Sequence, residues 1–273
     1  MRVSIILPTF NGHKLINRSI ESIFRQSYKD WELVILDDGS SPSIEDSIDE
    51  KYLKDHRVHI YRNNSNLGIQ KSLNRGISLS RGELIARIDD DDWWSDREKL
   101  HGQVRFLESN PEYGMVGTGA IVVDEGGEEI FRYLNKESDR EIRSIILQKN
   151  PFTHSSVVFR KHLFDELSGY SESLETKGVE DYDLWLRMGT KMKLANLPRY
   201  SISFTFRESG SISSDIKITQ LKNNLGLINK YKREYRGGFL ALCYVYLKLW
   251  GYRVYRVCPK FLRDLIFSVY KKS

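Results

Sequence analysis

Cysteine is scarce in this sequence of 273 residues, and long hydrophobic runs are missing. The two cysteines, Cys243 and Cys258, cannot build a disulfide framework or a four-ligand zinc site, so we expect a reducing, intracellular setting. No segment has the roughly 18 consecutive apolar residues of a membrane span, and the N-terminal apolar run is too short for a secretory signal. Internal repeats are also absent. These absences leave a globular protein with one large domain, alone or with an appendage.

Charge is unevenly distributed along the chain. From Lys230 to Ser273 there are eleven basic and two acidic residues, a net charge of +9, and the remaining residues sum to −4. Basic and aromatic residues alternate there, which is typical of an amphipathic helix on an anionic membrane surface. Packing against the main domain or another subunit is the alternative. Because the segment is too apolar for a nucleic-acid-binding arm, we expect no nucleic-acid partner.

The first hundred residues alternate between continuous apolar runs and apolar residues at helical spacing. The runs predict strands at 3–7, 31–36, 58–61 and 84–88, and the helical spacing predicts helices over 15–24, 44–53 and 69–77. Apolar strands separated by helices indicate a parallel sheet that is buried on both faces. Ligands of such sheets bind beyond the carboxyl ends of the strands.

Strand and helix signals continue through the second half of the chain. Strands are predicted at 115–123, 155–159, 193–197 and 202–206, and helices over 95–109, from 138, and over 161–167, 181–188 and 215–235. Two segments, Ser95 to Glu98 and Ser138 to Glu141, have the spacing of a capping box and predict helix starts.

Four consecutive aspartates, Asp89 to Asp92, follow the strand predicted at 84–88 and lead into Trp93. Two unit charges about 4 Å apart repel by roughly 4 kcal/mol at an effective dielectric near 20, so such a cluster favours a bound cation. Mg²⁺ and Mn²⁺ prefer oxygen ligands, and Mg²⁺ sites commonly combine one or two carboxylates with substrate phosphates. A solvated acidic turn that caps the next helix is the alternative interpretation.

Five motifs occur in one order along residues 1–210, and together they resemble those of family 2 glycosyltransferases of the bacterial cell-surface polysaccharide type. The motifs are Val3-Ser-Ile-Ile-Leu-Pro-Thr-Phe-Asn11, Leu36-Asp-Asp-Gly-Ser40, Asn66-Leu-Gly68 with Asn74-Arg-Gly76, Ile88-Asp-Asp-Asp-Asp-Trp93 and Glu180-Asp-Tyr-Asp-Leu-Trp-Leu-Arg187. The resemblance implies an α/β GT-A fold, a Rossmann-like, mostly parallel sheet flanked by helices. We predict this domain over 1–225 and a C-terminal helical amphipathic extension over 226–273.

The resemblance also implies a role for individual residues. Asp181 would be the general base, and Asp91 would hold a divalent ion, Mn²⁺ or Mg²⁺. His154, Glu180 and Trp93 are candidates for the acceptor side. The donor and its nucleotide would be bound by Pro8, Thr9, Asp37, Asp38, Asn66, Gly68, Asn74, Asp89 and Asp90.

Alternative roles stay open for several of these residues. Asp38 would accept a hydrogen bond from a pyrimidine N–H, unless Asp37 and Asp38 only form a polar turn. Glu180 and Asp181 also suit a helix N-terminus, where negative charge is favourable. Asp90 occupies the variable position of the family's metal motif, so its register is open by one residue.

Two departures from the family pattern are visible. Many relatives have an Arg that approaches the diphosphate where this chain has Leu73, and Lys71 or Arg87 are the candidates to replace it. The Gln-x-x-Arg-Trp motif of processive synthases is absent, which favours the addition of a single sugar.

The resemblance therefore predicts an inverting, metal-dependent transfer of one sugar from a nucleotide-sugar, with UDP as the expected nucleotide. The acceptor would be a saccharide or a lipid-linked saccharide of the cell envelope, at the cytoplasmic face of the membrane. A non-catalytic nucleotide-sugar-binding protein is the alternative, and lack of turnover would favour it. A nucleotidyltransferase is less consistent, because Pro8 to Asn11 is not a Gly-rich, basic loop for a triphosphate.

Overall fold

The computed structural model describes residues 2–124, 126–206 and 214–257. Within these ranges, eight strands form one sheet with helices on both faces. The strands are β1 (Val3–Thr9), β2 (Trp31–Asp37), β3 (Val58–Arg62), β4 (Leu84–Arg87), β5 (Tyr113–Val123), β6 (Glu129–Tyr133), β7 (Val158–Arg160) and β8 (Lys193–Thr205). The helices are α1 (Ile16–Phe24), α2 (Glu50–Leu53), α3 (Ile69–Leu79), α4 (Lys99–Ser109), α5 (Asp139–Ile145), α6 (Lys161–Glu166), α7 (Glu180–Lys191), α8 (Ser214–Tyr231) and α9 (Gly238–Val257).

The sheet has the order β3-β2-β1-β4-β7-β5-β6, with β8 paired to β5. Strands β1 to β4 are mutually parallel, β7 is antiparallel to both β4 and β5, and β8 is parallel to β5. The predicted mostly parallel α/β sheet is therefore confirmed. Because β1, β2 and β4 run in one direction, their carboxyl ends meet at a single edge of the sheet.

Side chains on the two faces of β1 enter different hydrophobic clusters. Val3, Ile5 and Leu7 pack with the buried face of α1, whereas Ile6 packs with α3 on the opposite face. Since both faces of the strand are covered, every residue of β1 is buried. This double coverage explains the continuous apolar run in the sequence, which an exposed sheet would not require.

The C-terminal helices pack on the cluster that contains α3 and α7. Ile228 of α8 and Ala241 and Val245 of α9 are buried in it, and Trp185 of α7 belongs to it with no exposed surface. Helix α8 is continuous across position 225, so the division into two domains at 225/226 stays a prediction.

In the part of the chain that is described, no helix has both the length and the apolar character needed to cross a membrane. Predictions for 258–273 lie outside the described residues.

Three predicted helix boundaries are wrong: the helix predicted over 215–235 ends at Tyr231, and tertiary contacts explain the other two. The helix predicted over 44–53 is a 3-10 turn (Ile44–Ser47) followed by the short α2, because Asn17 binds the Ser47 carbonyl and the Asp49 N–H between them. The capping box predicted at Ser95 does not form and α4 begins at Lys99, because the Ser95 N–H pairs with Ser201 of β8. The second predicted box, at Ser138, forms as expected.

Two strand predictions also differ from the structure. The predicted strands at 193–197 and 202–206 are one strand, β8, whose register with β5 is irregular around Pro198. The strand predicted at 155–159 begins as a 3-10 turn (His154–Ser156), and β7 starts only at Val158. Ser156 explains this turn, because its hydroxyl donates to the Thr153 carbonyl and its N–H donates to the same oxygen.

Candidate active site

Several predicted donor-side residues lie together at the carboxyl edge of β1, β2 and β4. Thr9 is paired in register with Asp37, and its hydroxyl donates to Asp90 Oδ2 at 2.5 Å. Pro8 precedes Thr9 in the buried strand β1. A cavity of about 620 Å³ opens at this edge, which we call the donor cavity. It is lined by Phe10, Asn11, Gly12, His13, Lys14, Leu15, Arg18, Asp90, Asp91 and Thr205.

Asp37 and Asp38 are buried, and backbone N–H groups bind both carboxylates. Asp37 accepts hydrogen bonds from the N–H groups of Ser40 and Ile44. The two oxygens of Asp38 accept from the N–H groups of Leu67 and Gly68, each at 2.9 Å, at the start of α3.

Asn63 donates a further hydrogen bond to Asp38, at 2.7 Å. Asp38 thus fixes the loop that contains Asn66, and Gly68 suits this loop because its φ of +90° is favourable only for glycine. The structure therefore gives Asp37 and Asp38 a loop-forming role, and their binding of a nucleotide stays a prediction.

Asn74 and the basic residues near it have separate positions. Asn74 joins α3 to the segment before α7, because its amide both donates to the Tyr170 carbonyl and accepts from the Tyr170 N–H. Arg75 donates to the Arg62 carbonyl. Lys71 is exposed to solvent, whereas Arg87 is buried beside the four aspartates.

The four aspartates have different surroundings. Arg87 donates to both carboxylate oxygens of Asp89, and Ser155 donates to a carboxylate oxygen of Asp92. Burial, with nearby Asp91 and Asp89, raises the pKa of Asp90 to about 6, although the Thr9 hydrogen bond favours its ionised form. Burial and the neighbouring aspartates also raise the pKa of Asp92 well above its usual range.

Burial is the largest cause of these raised pKa values, and the repulsion between neighbouring carboxylates, which a bound cation would offset, adds to it. Among the described residues no group of three or more His, Cys, Asp or Glu side chains is arranged to hold a metal ion by itself. A site that uses one carboxylate and substrate phosphates needs no such group. Asp91 lines the donor cavity, so its position fits a metal site in which one carboxylate and the phosphates of the substrate are the ligands.

Asp181 lies at the start of α7 in a half-buried position. The Tyr182 N–H donates to its Oδ1 at 2.7 Å, and the Asn150 side chain donates to its Oδ2 at 2.8 Å. Burial, reinforced by Glu180, raises the pKa of Asp181 to about 6 in spite of these hydrogen bonds and of Arg87. A carboxyl group with a pKa near 6 can accept a proton at neutral pH better than an ordinary aspartate.

The predicted acceptor-side residues lie at three different places. Nε2 of His154 is 2.9 Å from the Tyr170 hydroxyl, and burial and Arg87 lower the pKa of His154 well below its usual range, so its ring is neutral at pH 7. Glu180 accepts from the Gly178 N–H. The Trp93 ring lies 3.9 Å from the guanidinium carbon of Arg18, at the rim of the donor cavity.

Four residues at the site were not predicted. Ser19 donates to the carbonyl oxygens of Asp90 and Asp92, and Ser155 donates to the Asp92 carboxylate. Arg18 and Asn150 are the others. A signal for Ser19 was available, because it and Ser22 fall among the isoleucines on the buried face of α1 and a buried hydroxyl requires a partner.

Comparison with known proteins identifies the family. The model of glycosyl transferase family 2 matches residues 4–168. The putative glycosyltransferase EpsE of Bacillus subtilis (strain 168) is 37% identical over 188 residues, which cover 68% of this chain and 66% of EpsE. The amylovoran biosynthesis glycosyltransferase AmsE of Erwinia amylovora is 32% identical over 198 residues, which cover 71% of this chain and 73% of AmsE. This chain therefore spans slightly less than two thirds of the length of EpsE.

Solved structures share the fold at lower sequence identity. Residues 1–349 of Staphylococcus aureus TarS, in complex with UDP-GlcNAc, superpose with a TM-score of 0.66 and 21% identity, over 84% of this chain and 66% of that one. The mannosyltransferase PcManGT of Pyrobaculum calidifontis, in complex with GDP-Man and Mn²⁺, gives a TM-score of 0.66 and 17% identity, over 99% of this chain and 79% of that one. These matches show the same fold, and the family model covers more than half of the sequence. The chain belongs to glycosyl transferase family 2.

Proposed function

We propose that this protein transfers one sugar from a nucleotide-sugar to an acceptor hydroxyl, with inversion at the anomeric carbon and with Asp181 as the general base. The observation that carries the proposal is the state of Asp181, a half-buried carboxylate held by two hydrogen-bond donors beside a cavity. In the proposed reaction Asp181 takes the hydroxyl proton while the acceptor oxygen attacks the sugar. The bond between the sugar and the nucleoside diphosphate then breaks on the opposite face.

The donor would occupy the donor cavity. Asp90, Asp91 and Lys14 line it, and Thr9 reaches it through Asp90. UDP is our first candidate for the nucleotide, since TarS was solved with UDP-GlcNAc, although PcManGT was solved with GDP-Man. Arg87 is the candidate for the missing family Arg, and it would act by offsetting the charge of the aspartates rather than by binding a phosphate.

A divalent ion, Mn²⁺ or Mg²⁺, would bind at Asp91. When bound, such an ion neutralises the charge that develops on the diphosphate leaving group. This assignment is supported by the repulsion between the neighbouring carboxylates, which contributes to the raised pKa values of Asp90 and Asp92. The structure of PcManGT, which shares the fold, contains Mn²⁺.

Cell-envelope polysaccharide synthesis is the proposed setting. The names of AmsE and of WbnJ, an O-antigen biosynthesis glycosyltransferase of Escherichia coli that is 32% identical over 188 residues, refer to such polymers. We place the protein at the cytoplasmic face of the membrane, with α9 on the lipid surface. The support is that α9 exposes Phe239, Leu240, Leu247 and Trp250 beside Lys248.

The first test is thermal stabilisation of the protein by UDP, dTDP and GDP, each with and without Mn²⁺. We expect one nucleotide to raise the melting temperature in the presence of Mn²⁺, and Asp91→Asn to abolish the shift. Asp165→Asn, at an exposed aspartate of α6, is the matched control and should retain it. If no nucleotide stabilises the wild type, the donor site is wrong. If nucleotide binds but the donor is never turned over, a non-catalytic binding protein is the better description.

A further inference from the structure

A second cavity, of about 310 Å³, lies beside Asp181 and shares no lining residue with the donor cavity. We call it the α8–α9 pocket. It is lined by Leu147, Gln148, Lys149, Asn150, Gly178, Val179, Asp181, Tyr182, Gln220, Asn224, Ile228 and Val245. Eight of these residues lie beyond residue 168, where the match to the family model ends. The pocket is therefore built mainly by a part of the chain that the family model does not describe.

Asn150 holds Asp181 in a fixed orientation at this pocket. Its Nδ2 donates to Asp181 Oδ2 at 2.8 Å, and its Oδ1 accepts from the Phe152 N–H at 3.1 Å. Both ends of the amide are thus engaged, and the amide cannot rotate without losing a hydrogen bond. Each carboxylate oxygen of Asp181 can accept a further hydrogen bond, so an acceptor hydroxyl can still bind.

Asn224 on α8 differs from the other amides of the pocket. Its Oδ1 is buried, and it has no hydrogen-bond partner among the described residues. Gln220, one helical turn earlier, already donates to the Gly178 carbonyl at 3.1 Å. Since buried polar atoms are nearly always paired, the unpaired oxygen of this residue, which lines the pocket, indicates a position for a ligand that donates a hydrogen bond.

The character of the pocket limits the ligand that it can take. Its polar groups include two hydrogen-bond acceptors, the Asp181 carboxylate and the Asn224 oxygen, and its walls include the apolar side chains of Val179, Ile228 and Val245. The Asp181 carboxylate repels an anionic ligand. A neutral sugar fits, because its hydroxyls donate hydrogen bonds and its C–H groups pack on apolar side chains.

We propose that the α8–α9 pocket binds the acceptor sugar, that Asn224 accepts a hydrogen bond from a hydroxyl that does not react, and that Asn150 is a positioning residue for Asp181. This inference rests on the proposed function. It assigns acceptor selection to α8 and α9 and gives Asn150 and Asn224 separate roles that can be tested separately.

Asn224 is tested with Asn224→Ala, with Asn229→Ala as the matched control, because Asn229 lies exposed on the same helix. The probes are the donor of the nucleotide identified above and a panel of p-nitrophenyl glycosides of neutral hexoses and N-acetylhexosamines. We expect Asn224→Ala to raise KM for the glycoside about tenfold, since the amide oxygen that accepts the hydrogen bond of the sugar hydroxyl is lost. KM for the donor and its hydrolysis by water should change less than twofold.

Asn150 is tested through the pH dependence of donor hydrolysis and of transfer. The charged or titratable groups around Asp181 are Glu180 on the same helix, Arg87, Tyr170 and, at the exposed rim of the pocket, Lys149. The described lining residues of α8 and α9 are uncharged. Asn150→Ala removes a donor that favours ionised Asp181, so the acidic limb of kcat/KM should move up by about one pH unit.

Each outcome of these experiments tests a different part of the proposal. An unchanged KM for the glycoside in Asn224→Ala, or an equal loss of donor hydrolysis, overturns the role of Asn224. A wild type that hydrolyses donor but uses no glycoside overturns the neutral-sugar assignment. A loss in Asn150→Ala that is the same at every pH overturns its positioning role. Absence of both nucleotide binding and donor turnover in the wild type instead contradicts the proposed function.

Discussion

The donor cavity and the α8–α9 pocket differ in how their polar groups are satisfied. At the donor edge, backbone N–H groups bind Asp38, Arg87 binds Asp89 and Thr9 binds Asp90. In the α8–α9 pocket, the buried oxygen of Asn224 has no partner among the described residues. Atoms without a partner among the described residues therefore occur in both regions, but they differ in kind: at the donor edge Arg87 Nε is a hydrogen-bond donor, whereas at the pocket Asn224 Oδ1 is a hydrogen-bond acceptor.

The same two regions also differ in the elements that build them. The donor edge is formed by the ends of parallel strands, which the covered sheet fixes in space. The pocket is formed by a loop, the start of α7 and two helices that follow the sheet in the chain. Helices and loops can change in sequence without disturbing the strand register.

The largest expected effect is the loss of transfer in Asp181→Asn. Removing a general base typically lowers the rate by about 10²–10⁴-fold, and we expect a loss in kcat of that size. Donor binding should be unchanged, because Asp181 lies in the other cavity. The check is steady-state kinetics together with nucleotide-induced thermal stabilisation. A variant with more than a tenth of wild-type activity would contradict the assignment of the base.

As the proposed general base, Asp181 should also set the pH dependence of the wild type. Asp181 must be ionised to accept a proton, and its pKa is about 6. kcat/KM should therefore fall tenfold per pH unit well below pH 6 and level off above it. In Glu180→Gln the neighbouring negative charge is lost, so the acidic limb should move to lower pH. If the acidic limb of the kcat/KM profile moved to higher pH instead, the charge of Glu180 would not be what raises the pKa of Asp181.

The next effect concerns Arg87, which organises the donor edge. Its guanidinium is 3% exposed, and it is the ion-pair partner of Asp89. In Arg87→Met the carboxylates lose this cation, and we expect the free energy of unfolding to fall by about 3 kcal/mol. Urea denaturation measures the change. Arg87→Met combined with Asp89→Asn should recover part of the loss, and equal stability of the single and double variants would show that packing, not charge, is responsible.

The residues of the donor edge were predictable because local sequence marks them. Each of β1, β2 and β4 is an apolar run that is followed by a polar or acidic residue, and the strand ends must meet in a parallel sheet. Asn150 and Asn224 were not predicted, because an isolated polar residue has no periodic pattern. Asn150 meets Asp181 across 31 residues of chain, and only the fold brings the two together.

Local signals failed where a distant residue competes for the backbone. The apolar spacing over 44–53 is helical, but Asn17 binds two backbone groups that a continuous helix would use itself. Ser95 has the capping-box spacing, but β8 takes its N–H. Ser138 forms its box because no such competitor intervenes. Local patterns therefore predicted the kinds of elements better than their boundaries.

A smaller effect is expected for Asp90, in the donor cavity. Its pKa of about 6 in the folded state lies above its ordinary value of 3.8, so ionisation of Asp90 disfavours folding. The penalty is absent below about pH 4, grows between pH 4 and pH 6, and is complete above pH 6. Asp90→Asn should thus stabilise the metal-free protein by about 1–2 kcal/mol at pH 8 and change little at pH 4, as measured by urea denaturation. Equal stabilisation at both pH values would contradict a charge effect.

The smallest expected effect lies outside both cavities, on the exposed side of α9. Trp250 is 67% exposed, so Trp250→Glu should leave the stability of the fold almost unchanged. On vesicles that contain phosphatidylglycerol, however, the variant should bind about fivefold more weakly, because an apolar ring is lost and a negative charge is added. Ile130→Glu, at a residue 51% exposed on the edge strand β6, introduces the same charge elsewhere and serves as the control in vesicle sedimentation. If both variants lose binding equally, only net charge matters, and α9 is not the membrane-binding surface. If only Trp250→Glu loses binding, the helix that forms one wall of the α8–α9 pocket also contacts the lipid, and the acceptor side of the enzyme faces the membrane.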